Sequence, residues 1–315
     1  MVKEKSRVLS GNVKKLIGLV IMLVGLGIFL YPYYNIVFSQ FETRKEVDSY
    51  RAEYSSGRGE AESERILKKS EKYNEDLSSD YSGVVDPFSV SGYKTFNKVQ
   101  KNRDDIYGFI AIPKINEVLP IYLGADEEHL AKGAAQLAYT SLPIGGNSSR
   151  SVIAGHRGYY KKPMFRHLDK LKKGDKIYIN VFDKTLVYKV YSTEDIYPSE
   201  NDRLKPIEGK DIVTLLTCTP YPTNRMRLLV NCERTDDEES FRSKGKIAGS
   251  DINDTKDEET IKKKGLFSIL SLKNADAKVL FTKAAFILVI LIGTVVEIII
   301  LIKIAKTLKT IKNKQ

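Results

Sequence analysis

Ile212-Val213-Thr214-Leu215-Leu216-Thr217-Cys218-Thr219-Pro220-Tyr221-Pro222-Thr223-Asn224-Arg225-Met226-Arg227-Leu228-Leu229-Val230-Asn231-Cys232 reads as two strands folded back on each other. The apolar, β-branched run ends in a segment rich in Pro and Asn, and a second apolar run follows. Side chains alternate faces along a strand, so Ile212, Thr214, Leu216 and Cys218 share one face. On the return strand Arg225, Arg227, Leu229 and Asn231 share a face. A hairpin register that brings Arg227 opposite Cys218 sets a guanidinium beside a thiol, although periodicity alone does not choose between Arg225 and Arg227. Cys232 has the other parity, which predicts a buried free thiol rather than a bridge to Cys218.

Working outward, the run Ser151–Ala154 is another predicted strand, and it ends at Ala154-Gly155-His156-Arg157-Gly158. The chain has two cysteines and three histidines. A thiol, an imidazole and a guanidinium at strand ends point to acyl transfer through a thioester. Attack of the thiol on an amide carbonyl builds an oxyanion that a fixed cation stabilises. The imidazole protonates the leaving amine and then deprotonates the incoming one. Taken singly, a cysteine at a strand end is more often a small core residue than a nucleophile. His129 and His167 sit in predicted helices with ordinary surroundings and are read as structural.

The rest of the central region repeats the strand pattern. Ile106–Pro113, Val118–Leu123, Lys176–Val181 and Lys184–Tyr191 are predicted strands, the last two a hairpin around Phe182-Asp183. Asp126–Lys132, capped by Asp126, and Phe165–Lys172 are predicted short helices. Many short strands and few helices predict a mainly β fold, a closed or nearly closed barrel. Upstream, Phe41 to Leu77 reads as helix, break at Gly57 and Gly59, then helix, with Ile66, Tyr73 and Leu77 as anchors and its first half a solvated stalk. There is no internal repeat and no metal-ligand spacing.

The formal charge of +11 over 315 residues is concentrated at the ends. Lys3, Lys5, Arg7, Lys14 and Lys15 precede one apolar stretch, and Lys303, Lys306, Lys309, Lys312 and Lys314 follow another. Between them the signs alternate without a basic stripe, which argues against nucleic acid as a partner. Leu16 to Phe41 carries no charge, and a hydrocarbon core of about 30 Å needs roughly 20 residues. Tyr31-Pro32-Tyr33-Tyr34 is too bulky for a small-residue cleavage site and suits a membrane interface, so a retained anchor is predicted. A second span runs from Ala284 to Ile302. Glu297 interrupts it at a cost of about 2–3 kcal/mol at mid-membrane, less nearer an end. The positive-inside rule leaves both basic tails in the cytoplasm, with Lys278 and Lys283 on the opposite flank of the second span. The region between the spans would then face outside. The expected organisation is a tail at 1–15, a span at 16–38, a helical stalk and lid at 39–104, a barrel at 105–234, a polar linker at 235–283, a span at 284–302 and a tail at 303–315. Two cysteines exclude a disulfide-stapled domain.

Ser151-Val152-Ile153-Ala154-Gly155-His156-Arg157-Gly158 and Thr214-Leu215-Leu216-Thr217-Cys218-Thr219-Pro220, with Arg227-Leu228-Leu229-Val230, resemble the sortases, membrane transpeptidases of Gram-positive bacteria. Thr140-Ser141-Leu142-Pro143-Ile144-Gly145-Gly146 and Leu168-Asp169-Lys170-Leu171-Lys172-Lys173-Gly174-Asp175 extend the likeness, which covers most of residues 70–234 and is closest to class C, the pilin-polymerising sortases. The resemblance implies a closed eight-stranded sortase-type β-barrel with short helices, an N-terminal helical and lid segment and two flanking transmembrane helices. It implies Cys218 as nucleophile, His156 as acid/base and Arg227, rather than Arg225, beside the oxyanion. Asp86-Pro87-Phe88 resembles the class C lid, in which an acidic residue could pair with Arg227 while Phe88 covers the sulfur; proline fixes the turn between them. The chain departs from the family at Cys232, where glycine is usual. The implied reaction cleaves a Leu-Pro-x-Thr-Gly-like signal and joins it to a pilin lysine. One amide replaces another, so the expectation is no cofactor and no metal. A sortase that attaches proteins to a cell-wall amine, and a non-catalytic peptide receptor on the same membrane anchors, are the alternatives.

Overall fold

The computed structural model describes residues 11–54, 57–77, 83–90, 99–159, 162–235 and 275–313. The first basic cluster apart from Lys14 and Lys15, most of the polar linker and Lys314 lie outside the described residues. Eight strands close a barrel in the order β1-β2-β3-β4-β7-β8-β6-β5. They are β1 (Gly108–Ile112), β2 (Glu117–Leu123), β3 (Ala134–Gln136), β4 (Ser149–Ala154), β5 (Lys176–Val181), β6 (Lys184–Ile196), β7 (Asp211–Thr219) and β8 (Met226–Arg234). β2–β3 and β4–β7 pair in parallel and the remaining neighbours antiparallel. Closure leaves no open sheet edge.

Two apolar layers follow from strand parity. Ile153, Val213, Leu215, Leu228, Val230 and Cys232 point into the barrel with Ile177 and Ile179. The alternate residues Val152, Ala154, Leu216 and Leu229 form a second layer outside it. A bulge at Tyr191 shifts the β6–β8 register, so that Val190 opposes Cys232 but Ser192 opposes Asn231. The extra residue turns Ser192 toward the outer layer, as bulges re-aim side chains near functional sites.

Among the described residues there are three long helices: α1 (Gly11–Tyr54), α2 (Gly57–Asp76) and, after the short α3 (Glu127–Lys132), α4 (Ala277–Lys312). The chain forms two compact units, one of Met1–Ser39 with Phe281–Gln315 and one of Gln40–Leu280. In the first, Gly293 lets α4 approach α1 so closely that a Cβ there would collide with the Leu30 side chain. Tyr33 and Phe286 meet edge to face with centroids 5.4 Å apart. Much of the remaining apolar surface, Ile21, Ile28, Leu291 and Ile298 included, faces outward. Both helices are long and apolar enough to cross a membrane.

In the second unit the expected solvated stalk is instead a docked element. Val47 and Tyr50 of α1 are buried in the barrel's cluster. The Tyr50 hydroxyl donates to the Tyr107 carbonyl at 2.7 Å and accepts from the Phe182 amide at 2.9 Å. α2 docks too, through a Tyr107–Ser70 hydroxyl bond of 2.8 Å and through Asn74, whose amide bonds both backbone groups of Leu142. The predicted helix at Phe165–Lys172 shrinks to one 3-10 turn, Leu168–Lys170. Its buried Phe165 and Leu168 are held by tertiary packing, which overrides weak helical propensity in so short a segment. α3 forms as expected, with the Asp126 carboxylate accepting the His129 amide at 3.0 Å.

Candidate active site

Cys218 and Arg227 are direct partners across β7–β8. The return strand begins at Met226, so Arg225 stays in the exposed turn while Arg227 enters the ladder and is buried. His156 stands just past β4, the strand paired in parallel with β7 through Ala154↔Leu216. Neighbouring strand ends therefore bring thiol, imidazole and guanidinium to one rim of the barrel. His156 is half-buried and stacks on Tyr159 at 4.7 Å. Among the described residues its Nε2 has no hydrogen-bond partner.

The segment 83–90 covers this rim. Arg227 Nε donates to Asp86 Oδ1 at 2.7 Å and Nη2 to Oδ2 at 2.8 Å, a forked pair with side chains only 5% and 6% exposed. Such a bidentate bond is among the strongest neutralising contacts a guanidinium makes. Pro87 follows Asp86 in a turn closed by the Ser89 amide on the Asp86 carbonyl at 3.3 Å. The Ser89 hydroxyl donates to Asp86 at 2.6 Å and accepts from Arg227 at 3.2 Å. The Phe88 ring lies 5.4 Å from the His156 ring and 5.4 Å from the Arg227 guanidinium carbon. It thus rests against the imidazole and the cation. Val84 is buried in the outer apolar layer with Leu204, Leu216 and Leu229. Its carbonyl accepts from Asn201 at 2.9 Å, tying the segment to the β6–β7 connection.

Under this cover the surroundings favour the neutral form of both titrating groups. Burial pushes the Cys218 thiol up, the Arg227 charge pulls it back, and Asp86 opposes Arg227. Burial pushes the His156 imidazole down. Both shifts disfavour a thiolate–imidazolium pair while the segment is in place. Cys232 lies in the barrel interior, fully buried and opposite Val213, and both cysteines are free thiols.

Sequence reasoning missed Arg150. This buried residue sits under the same face, its guanidinium bonded to Thr214 at 3.0 Å, Asn231 at 2.9 Å and the carbonyls of Arg203 and Lys205 at 2.6 and 2.7 Å. It thereby pins the β6–β7 connection to β4, β7 and β8. The available signal was parity, since Arg150 alternates with Val152 and Ala154 on one strand face. Ser89, Asn201 and Arg157 carried no comparable signal.

Residues 110–235 match the sortase domain family. The chain is 31% identical over 131 residues to Sortase A of Bacillus anthracis, covering 41% of this chain and 60% of that relative's length. Sortase C-3 of Streptococcus pneumoniae superposes with a TM-score of 0.53 at 42% identity, covering 55% of this chain and 83% of the other. A second Streptococcus pneumoniae Sortase C, described for its pilin substrate specificity, superposes with a TM-score of 0.56 at 33% identity, covering 61% and 96%. The chain belongs to the sortase family of cysteine transpeptidases, with class C, pilin-type sortases as its structural neighbours.

Proposed function

We propose that this chain is a membrane-held pilin polymerase that cleaves a Leu-Pro-x-Thr-Gly-like signal between Thr and Gly. The Cys218 thiolate attacks the Thr carbonyl carbon, and Arg227 faces the oxyanion that forms. The C–N bond breaks as His156 protonates the departing glycine amine. A pilin lysine amine, deprotonated by His156, then attacks the thioester. The C–S bond breaks, an isopeptide forms and the thiolate returns. The observation that carries this reading is the register Cys218↔Arg227, with Asp86 occupying the same guanidinium. Asp86, Pro87 and Phe88 act as a lid that an arriving signal displaces.

Pilin as the substrate rests on the lid, on the pair of apolar helices and on the class C neighbours, one of them described for pilin substrate specificity. Both basic tails lie in the cytoplasm and the barrel outside, at a membrane where anchored substrates are concentrated. The test is reconstitution of the full chain with two pilins, each bearing a sorting signal. Covalent ladders resistant to boiling, lost when the acceptor lysine is changed, are expected. Transfer only to a cell-wall amine would replace polymerase by wall anchor. Peptide binding without any thioester, even with the lid removed, would leave a receptor.

A further inference from the structure

The ladder joining the two reactive strands stops short of the reactive residues. Its last rung is the Gly155 amide on the Leu216 carbonyl at 3.0 Å. His156 lies one residue beyond it and Cys218 two. The gap is bridged by Arg157, the residue after the imidazole. Its Nη1 donates to Thr219 Oγ1 at 2.8 Å and to the Cys218 carbonyl at 3.3 Å. Its Nη2 lies 3.4 Å from Asp169 in the 3-10 turn Leu168–Lys170. That turn is anchored to the same loop, because the Phe165 amide donates to the His156 carbonyl at 3.0 Å. The Phe165 ring also fills the space beside Gly155, where a Cβ would stand 2.7 Å from it.

We propose that Arg157 is a positioning residue for the transpeptidation assigned above: it locks the peptide plane of Cys218 to the loop carrying His156. A guanidinium fits the task because its planar fork serves two directions at once, one toward the strand end and one toward Asp169. A strand end free to fray by about 1 Å would cost on the order of 10²-fold in rate. The cation also sits among the charges that face the sulfur, namely Arg227 and Asp86, and Arg157 favours the thiolate against burial. The imidazole is faced by Phe88 and Tyr159, and the Glu127 charge favours its protonated form.

The test uses the full chain in detergent, with Asp86→Ala and Phe88→Ala to uncover the thiol, and compares Arg157→Gln and Arg157→Lys with that parent. Thioester formation on a Leu-Pro-x-Thr-Gly peptide gives kcat and KM. Alkylation of Cys218 by iodoacetamide, mapped by mass spectrometry across pH, reports the thiol without any substrate. For Arg157→Gln, a 10- to 100-fold fall in kcat with KM within twofold is expected, and an alkylation profile moved to higher pH. Arg157→Lys should restore the profile but only part of kcat. A raised KM with kcat intact would make Arg157 a substrate contact and overturn the proposal. So would parental kcat and alkylation in Arg157→Gln, whatever its melting temperature. If the parent forms no thioester, the transpeptidase reading fails, and an alkylation profile unchanged by Arg157→Gln would then overturn this proposal separately.

Discussion

The two cysteines lie on one hairpin and on opposite faces of it. Cys232 points inward, fully buried beside Val213 and Val230, and burial alone drives its thiol far above the ordinary range. Cys218 points outward, half-buried, and burial raises its thiol against the opposing charges of Arg227 and Arg157. The same atom type is packing on one face and, in the proposed reading, the nucleophile on the other. Parity, set by the period of the strand, decides which.

The largest effect that can break this comparison is Cys218→Ala, which should abolish thioester formation. Cys232→Ala should keep activity and cost about 1–2 kcal/mol of stability by thermal unfolding. Substantial activity in Cys218→Ala, or its loss in well-folded Cys232→Ala, would reverse the assignment. Next comes Arg227→Ala, for which kcat on the peptide should fall about 10²- to 10³-fold. Arg225→Ala, in the exposed turn, should change kcat less than twofold.

Removal of the proposed lid sharpens the outward half. Asp86→Ala deletes a negative charge that raises the Cys218 thiol and lets water reach the sulfur. The thiol then titrates at lower pH, so more thiolate is present at neutral pH. If the open state is a minor one at about 10% or below, alkylation should accelerate roughly tenfold or more. Its pH profile should move to lower pH, and a profile moved upward would contradict the charge argument. A smaller effect is at Asn201→Ala, which removes one hydrogen bond from the Val84 end of that segment. A loss of about 1 kcal/mol predicts alkylation faster by roughly fivefold, with kcat on the lid-free chain unchanged.

Much of this was legible in the hairpin itself. Alternation placed Cys218, Leu216 and Thr214 together, and the turn composition set the return strand. Choosing Arg227 over Arg225 needed either the family likeness or the register, because both arginines satisfy the same parity. β3 escaped notice because Ala134-Ala135-Gln136 is three residues without a β-branched side chain; its strand geometry comes from the neighbours that flank it. The β5–β6 turn puts Phe182 at φ 53°, where Asn or Gly would be expected. Its ring packs on Tyr50 and Tyr54, a contact with a segment more than 120 residues away that no local pattern announces. The docking of α1 was unreadable for the same reason. Val47 and Tyr50 look like isolated apolar residues in a charged helix until the barrel supplies their partners.

The most direct measurement is peptide mapping of the full chain after incubation with a Leu-Pro-x-Thr-Gly peptide, for the parent, Cys218→Ala and the lid pair Asp86→Ala with Phe88→Ala. The expected result is an acyl adduct on Cys218 that grows in the lid pair, disappears in Cys218→Ala and never marks Cys232. An adduct on Cys232, or none on Cys218 in the lid-free chain despite bound peptide, would contradict it.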